Sequence, residues 1–221
     1  MKVKKHQQDD KIAALYYQAV DYFEKNKNKV YWVITGVVVV IAVIFIYFKS
    51  QNAKEVEASD ALVKIQTIYF GGNYQQAMNG DSLGIAKGLI YIVDNYGSTQ
   101  SGQIAKILLA NCYYYSNDFD NALKYYKDFS GKNEIMKAAS LSGIASVNEA
   151  KGDFKEAAGN YEKASRVSKD ILNNDEYLYN AMRNYFNLKD TESVKKISKQ
   201  IKENYPKSKF IAQLNRYDLT N

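Results

Sequence analysis

Histidine, cysteine and proline each occur once in the 221 residues, as His6, Cys112 and Pro206. Each scarcity removes a class of chemistry. A lone cysteine cannot close an intrachain disulfide in any redox compartment, so Cys112 is expected to be a structural thiol on a helix. A lone histidine near the N-terminus leaves the rest of the chain without Ser-His-Asp or Cys-His catalysis and without a histidine-bearing metal cluster. Carboxylates do lie close together, as in Asp118 with Asp120 and Asp153 with Glu156. Each pair stands at an expected helix start, where acids cap amide groups and meet the helix dipole. The glycines make no phosphate loop: Gly71 and Gly72 fall in neither G-x-x-x-x-G-K-[ST] nor G-x-G-x-x-G, and Gly84-x-x-x-Gly88 lies outside any apolar run. No catalytic residue, metal ligand, cofactor or small-molecule substrate is expected, and the chain is not read as an enzyme.

One stretch lacks charge altogether, in a chain whose mean hydropathy is -0.44. Residues 30–48 read VYWVITGVVVVIAVIFIYF. As a helix they span roughly 28 Å, close to the thickness of a bilayer's hydrocarbon core. A buried core helix rarely keeps all its faces apolar over such a length. A cleaved secretion signal has a shorter apolar region and a small-x-small cleavage site, whereas KSQNAKEVEASDA follows here. The run is therefore read as an uncleaved transmembrane anchor. It holds no ionisable group, which argues against a channel or carrier.

Lys25, Lys27 and Lys29 crowd the N-terminal side of the run, while Lys49 and Lys54 on the other side stand among Glu55, Glu57 and Asp60. The positive-inside rule then puts residues 1–29 in the cytoplasm and exports residues 49–221 to the other side of the membrane. A sequence pI near 9.0 raises the question of nucleic acid. Residues 1–48 carry seven lysines and four acids, and the remainder 23 basic and 20 acidic side chains, so each part holds only a net +3. Interleaved charges at this level describe a solvated helical surface, and no nucleic-acid partner is expected. Ahead of the run, Ile12, Leu15, Tyr16, Ala19, Val20 and Phe23 recur at helical spacing, with Asp9 or Asp10 available as a cap. Such an amphipathic helix suits either the inner membrane surface or the cytoplasmic face of a membrane partner.

Beyond the run the chain repeats. Asp118, Phe119, Ala122 and Tyr126 of NDFDNALKYYKDF return 35 residues later as Asp153, Phe154, Ala157 and Tyr161 of GDFKEAAGNYEKA. A period near 34, with a small residue three positions after an aromatic, marks stacked helix pairs. The segment is similar to the tetratricopeptide-repeat family. Leu109, Ala110, Tyr113, Asp118, Phe119, Ala122 and Tyr126 fall on its pattern in one unit, and Ile144, Ala145, Asp153, Phe154, Ala157, Tyr161 and Ala164 in the next. Tyr185, Asp190 and Val194 keep the register of a third unit, with Pro206 at the terminal proline. Upstream, a helix over about 52–70, a turn-rich link GGNYQQAMNGDSLG and a second helix over IAKGLIYIVDNYGSTQSG make an atypical first pair. The expected fold is all-α: a single N-terminal transmembrane helix, then an α-solenoid of tetratricopeptide-like pairs over about residues 52–218.

The resemblance implies a concave face lined by Asn111, Tyr114 and Tyr115 in the first regular unit, Ser142, Ser146 and Glu149 in the second, and Tyr179, Arg183 and Phe186 in the third. It also implies protein partners rather than a substrate. The family's carboxylate clamp pairs a lysine with an asparagine four positions later. Asn111 is present here, but Ile107 stands in place of the lysine. The tyrosines have a second reading as packing residues, since 20 of them must fill much of the core. Anchor, ASDALVKIQTIYFGGNY and NYGSTQSGQIAKILLANCYYYSNDFDNAL together resemble the YfgM-type family of membrane-anchored ancillary subunits of the bacterial Sec translocon. That resemblance implies a non-enzymatic accessory subunit whose partners are translocon subunits and a periplasmic chaperone or exported clients. A structural scaffold in another envelope assembly or secretion complex is the alternative.

Overall fold

The computed structural model describes residues 2–81 and 83–217, with side chains from Ala13 onward. The side chains of His6, Asp9, Asp10 and Ile12 lie outside that range. Two compact units divide the chain, residues 1–53 and residues 54–221. Among the described residues there is no strand, only one isolated antiparallel bridge between Gly80 and Lys87.

In the first unit α1 spans Lys2–Lys25. Asp9 and Asp10 are thus inside the helix rather than at its start, because nothing from Lys2 onward breaks it. Leu15, Tyr16, Ala19, Val20 and Phe23 are exposed, and the Phe23 ring meets Tyr31 edge-on at 6.0 Å. The next helix, α2, runs Lys27–Phe70 without interruption. The sequence reading ended the apolar helix at 48 and began another near 52. No glycine or proline separates them, and the Lys, Gln, Ala and Glu of the junction are good helix formers. α2 holds the one segment, among the described residues, long and apolar enough to cross a membrane, and none of that segment is buried within the chain.

The second unit is a stack of helix pairs. α3 (Tyr74–Asn79) and α4 (Leu89–Tyr96) follow α2, then α5 (Gln100–Tyr115) with α6 (Phe119–Lys127). α7 (Glu134–Ala150) pairs with α8 (Phe154–Ser165), and α9 (Asn174–Asn187) with α10 (Thr191–Asn204). A four-residue helix α11 (Ile211–Leu214) and a 3-10 turn Asn215–Tyr217 close the described chain. Each helix from α5 to α10 packs on the next in order. The family fold expected from the repeats is present, with Pro206 just beyond α10.

Two upstream expectations change. The turn-rich link contains α3, whose Ala77 and Met78 are buried. The expected helix over 85–102 is cut after Tyr96, where Gly97 ends α4 and Thr99 caps α5 by accepting a hydrogen bond from the Gly102 amide at 3.0 Å. Gly102 permits that corner, because a Cβ there would lie 1.9 Å from the Tyr96 carbonyl oxygen.

One turn recurs at the end of every first helix. Gly72, Asn117, Gly152 and Lys189 adopt φ of 77°, 60°, 83° and 58°. The following amides, from Asn73, Asp118, Asp153 and Asp190, reach back to the carbonyls of Ile68, Tyr113, Asn148 and Tyr185 at 3.3, 2.9, 2.8 and 3.0 Å. This is the six-to-one bond of a Schellman ending, which satisfies the last carbonyls of one helix and aims the chain into the next. Asp118 and Asp190 then cap α6 and α10 through the amides of Asn121 and Ser193. Asp153, expected to do the same for α8, makes no side-chain cap.

Continuous packing joins the helix pairs of the second unit. Ala61, Leu62 and Ile65 of α2 pack with Ala77, Leu89, Ile92, Leu109 and Cys112. Ile107, Ala110, Ala122, Tyr126 and Val147 join α5, α6 and α7. Leu178, Met182, Val194, Ile197, Ile201, Phe210 and Leu214 fill the C-terminal end.

The left-handed turn yields a paired expectation. Gly152→Ala should lower stability by about 1–2 kcal/mol, since a Cβ at positive φ is strained. Lys189→Gly should raise it by about 0.5 kcal/mol, the strain relief exceeding the entropy cost. Denaturant midpoints at unchanged slope measure both, and equal shifts of one sign would contradict the turn geometry.

Candidate protein-binding face

Spacings of three and four residues put Asn111, Tyr114 and Tyr115 on one side of α5, Ser142, Ser146 and Glu149 on one side of α7, and Tyr179, Arg183 and Phe186 on one side of α9. The buried tyrosines of α6 and α8 reach this side. Tyr126, on α6, donates its hydroxyl to Asn111 Oδ1, fifteen residues earlier. Tyr161, on α8, shares a hydrogen bond of 2.9 Å with Ser146 Oγ, again fifteen residues earlier. In the third unit the corresponding residue on α10 is Ser198, and Arg183, fifteen residues before it, turns instead to Glu149 at 3.1 Å.

Asn111 ties three helices together, because its Nδ2 also donates to the Tyr69 hydroxyl of α2 at 2.9 Å. Burial pushes Tyr126 well above the ordinary tyrosine range. It raises Tyr69 as well, against the opposing pull of the Asn111 amide. The Tyr126 ring fits only because position 143 is glycine: a Cβ there would come within 2.3 Å of the ring.

Glu149 is the charged centre of the face. It accepts from Arg183 Nη2 at 3.1 Å, Asn184 Nδ2 at 3.1 Å and the Tyr161 hydroxyl at 3.3 Å. Arg183 Nη1 also donates to Asn180 Oδ1 at 3.2 Å. Burial lifts Tyr161, Ser146 opposes that rise and the Glu149 charge adds to it. Tyr114 is raised first by burial and next by Glu149, which links the α5 tyrosine to the α7 carboxylate across the face. Ser142 contributes its carbonyl to Ser146 Oγ at 3.0 Å.

Seven of the nine residues fall into three groups. Tyr114 and Tyr115 form an aromatic patch with Phe119 and with Tyr74, which stacks on Tyr115 at 4.7 Å. Ser146, Glu149 and Arg183 form a polar row with Asn180. Tyr179 is buried beneath Phe210 at 4.5 Å and Tyr217 at 6.0 Å, while Phe186 meets the edge of Tyr217 at 5.0 Å. Burial, then the Tyr217 hydroxyl, pushes Tyr179 to about 12. Tyr74, Asn180, Phe210 and Tyr217 escaped the sequence reading. Tyr74 was findable, since Gly72-Asn73-Tyr74-x-x-Ala77 has the form of Gly152-Asp153-Phe154-x-x-Ala157.

The clamp position is filled by core: Ile107 is buried between units, and neighbouring Lys106 pairs with the Asp128 carboxylate at 2.7 Å instead. Of the acidic pairs, Asp118 caps α6 while Asp120 bonds Lys151 at 2.6 Å.

The profile of the tetratricopeptide repeat-like domain matches residues 20–175, more than half of the chain, and that of the tetratricopeptide repeat matches residues 176–208. The chain belongs to the tetratricopeptide-repeat family. Its domain match begins ahead of the apolar run and takes it in. No curated protein matches the sequence. Tetratricopeptide domains are protein-interaction scaffolds, and the described face, with its aromatic patch and polar row, has the chemistry of such a surface.

Two outcomes follow from the buried phenols. Asn111→Ala strands the hydroxyls of Tyr69 and Tyr126 and should cost about 1–3 kcal/mol in denaturant unfolding. Tyrosines raised in the folded state keep their full stabilisation below the unfolded value near 10.0 and lose it as pH rises toward the folded values. Unfolding midpoints should fall above pH 10.0, and fall less in a Tyr126→Phe, Tyr161→Phe double variant. Equal slopes in the two proteins would exclude these residues as the cause.

Proposed function

We propose that the chain is a protein-interaction subunit anchored in a bacterial inner membrane, with residues 1–29 cytoplasmic, residues 30–48 crossing the bilayer and residues 49–221 periplasmic. The observation that carries this is the joining, in one family match, of an uncovered apolar segment to a stack of helix pairs. The lysines before the apolar run support the orientation. The subunit serves the Sec translocon, linking it to a periplasmic chaperone or to exported clients, in keeping with the YfgM-type resemblance. Tyr114, Tyr115, Ser142, Ser146, Glu149, Arg183 and Phe186 contact the partner, while Asn111 and Tyr179 support that face from below. Non-enzymatic action accords with the scaffold fold.

Crosslinking in native membranes, followed by identification of the attached proteins, is the test. Channel subunits among the adducts support this reading; envelope machinery without them supports a scaffold in another assembly. Tyr115→Ala should lower the adduct yield while leaving the unfolding midpoint nearly unchanged, because its side chain is largely exposed. Protease added after permeabilising the outer envelope should digest the C-terminal unit. Protection of that unit would reverse the topology.

A further inference from the structure

The surplus of positive charge on residues 49–221 is not spread evenly. Residues 49–188 carry 15 basic and 16 acidic side chains, whereas residues 189–221 carry eight basic and four acidic ones. The whole surplus therefore lies on α10 and the segments next to it. Along α10, Val194, Ile197 and Ile201 are buried in the core. Lys195, Lys199 and Lys202, at intervals of four and three, share an exposed side. Lys199 reaches Glu203 only at 3.7 Å, and among the described residues no carboxylate pairs with Lys195 or Lys202. A cavity of about 350 Å³ opens between the lysines, lined also by Ser198, Glu203 and Tyr217. Ser198 stands where Tyr126 and Tyr161 stand in the earlier units, and the recess lies beside this smaller side chain.

We propose that this side of α10 receives an acidic segment of a protein partner, extended and with carboxylates on alternate residues. Charge complementarity selects the sign of the occupant. Dimensions select its form: the lysine row covers about 10 Å of helix axis, and alternate side chains of an extended peptide stand about 7 Å apart, so two successive carboxylates fall within it. A bilayer surface fits poorly. A helix lying on anionic lipid inserts an apolar side next to its lysines, but that side of α10 is in the core. Among the described residues beyond Lys189 no large apolar side chain is exposed. Glu203 in the lining repels a phosphodiester backbone, whereas a peptide can turn an amide N–H toward it. The choice of a protein occupant rests on the interaction-module reading above and not on the membrane anchor.

Fluorescence anisotropy of the full-length chain in neutral detergent tests the proposal, with a labelled peptide of alternating glutamate and serine as the probe. That peptide should bind about tenfold tighter than one of alternating glutamine and serine, and added salt should weaken it. The variant Lys195→Gln, Lys199→Gln, Lys202→Gln should lose about tenfold in affinity at an unchanged unfolding midpoint. Lys137→Gln, Lys155→Gln, Lys163→Gln removes the same charge from exposed lysines elsewhere and should cost less than about twofold. Equal losses in the two triple variants, no binding of the glutamate peptide, or equal binding of the glutamine peptide would each overturn the proposal. Oligothymidylate or phosphatidylglycerol micelles that displace the probe better than the unlabelled glutamate peptide at equal charge would overturn it in favour of a phosphate ligand. Tyr115→Ala, which tests the other face, should bind the probe as the parent chain does, and a loss there would move the peptide off α10. Absence of channel subunits from the membrane crosslinks would overturn the translocon reading and leave this result standing.

Discussion

A phenol hydroxyl taken out of water must find a hydrogen-bond partner, and this requirement organises the second unit. Where two helices pack closely enough to bury Tyr126 and Tyr161, the rings supply apolar contact but their hydroxyls emerge at the side of α5 and α7 that carries Asn111 and Ser146. Asn111 and Ser146 meet them there, at the same interval of fifteen residues. The polar character of that side is therefore partly a by-product of core packing. The third unit illustrates the converse. With Ser198 in the place of a tyrosine, Arg183 meets no phenol hydroxyl and extends to Glu149 of the preceding unit, coupling neighbouring pairs by charge.

Much of this architecture was legible in the residues. The interval of 35 between Asp118 and Asp153 registers one whole helix pair, and it identified α5 to α8 because both units keep the same turn and the same aromatic and alanine positions. The first pair was harder. Its second helix is split by the loop at residues 80–88, so that α3 and α4 each look like fragments, and periodicity cannot be measured over six or eight residues. The break at Gly97 was hidden by an apolar run that continues in phase beyond it. Asn95-Tyr96-Gly97-Ser98-Thr99 and Asn204-Tyr205-Pro206-Lys207-Ser208 share their first two residues, and in both the last amide bonds the tyrosine carbonyl at 2.9 Å, so that one kind of corner was written twice, once with glycine and once with proline.

The candidate face was legible as a set of helix positions but not as a set of states. Helical spacing placed the nine residues on one side of their helices, as they are. It carried no information about which side chains were already engaged. Tyr179 lies under Phe210 and Tyr217, residues some thirty or more positions away in a short irregular segment, and no local pattern encodes that return. Asn111 likewise depends on Tyr69, which is 42 residues distant. Long-range pairing of this kind follows from the stack as a whole.

The aromatic cover formed by Phe210, Leu214 and Tyr217 over the last pair bears on how molecules of this type can aggregate. A stack of repeats exposes at each terminus a surface shaped to receive another repeat, which invites polymerisation into open filaments. Here the surface beyond α9 and α10 is occupied by the chain's own residues, so growth from that terminus is blocked and each molecule remains a unit of fixed length.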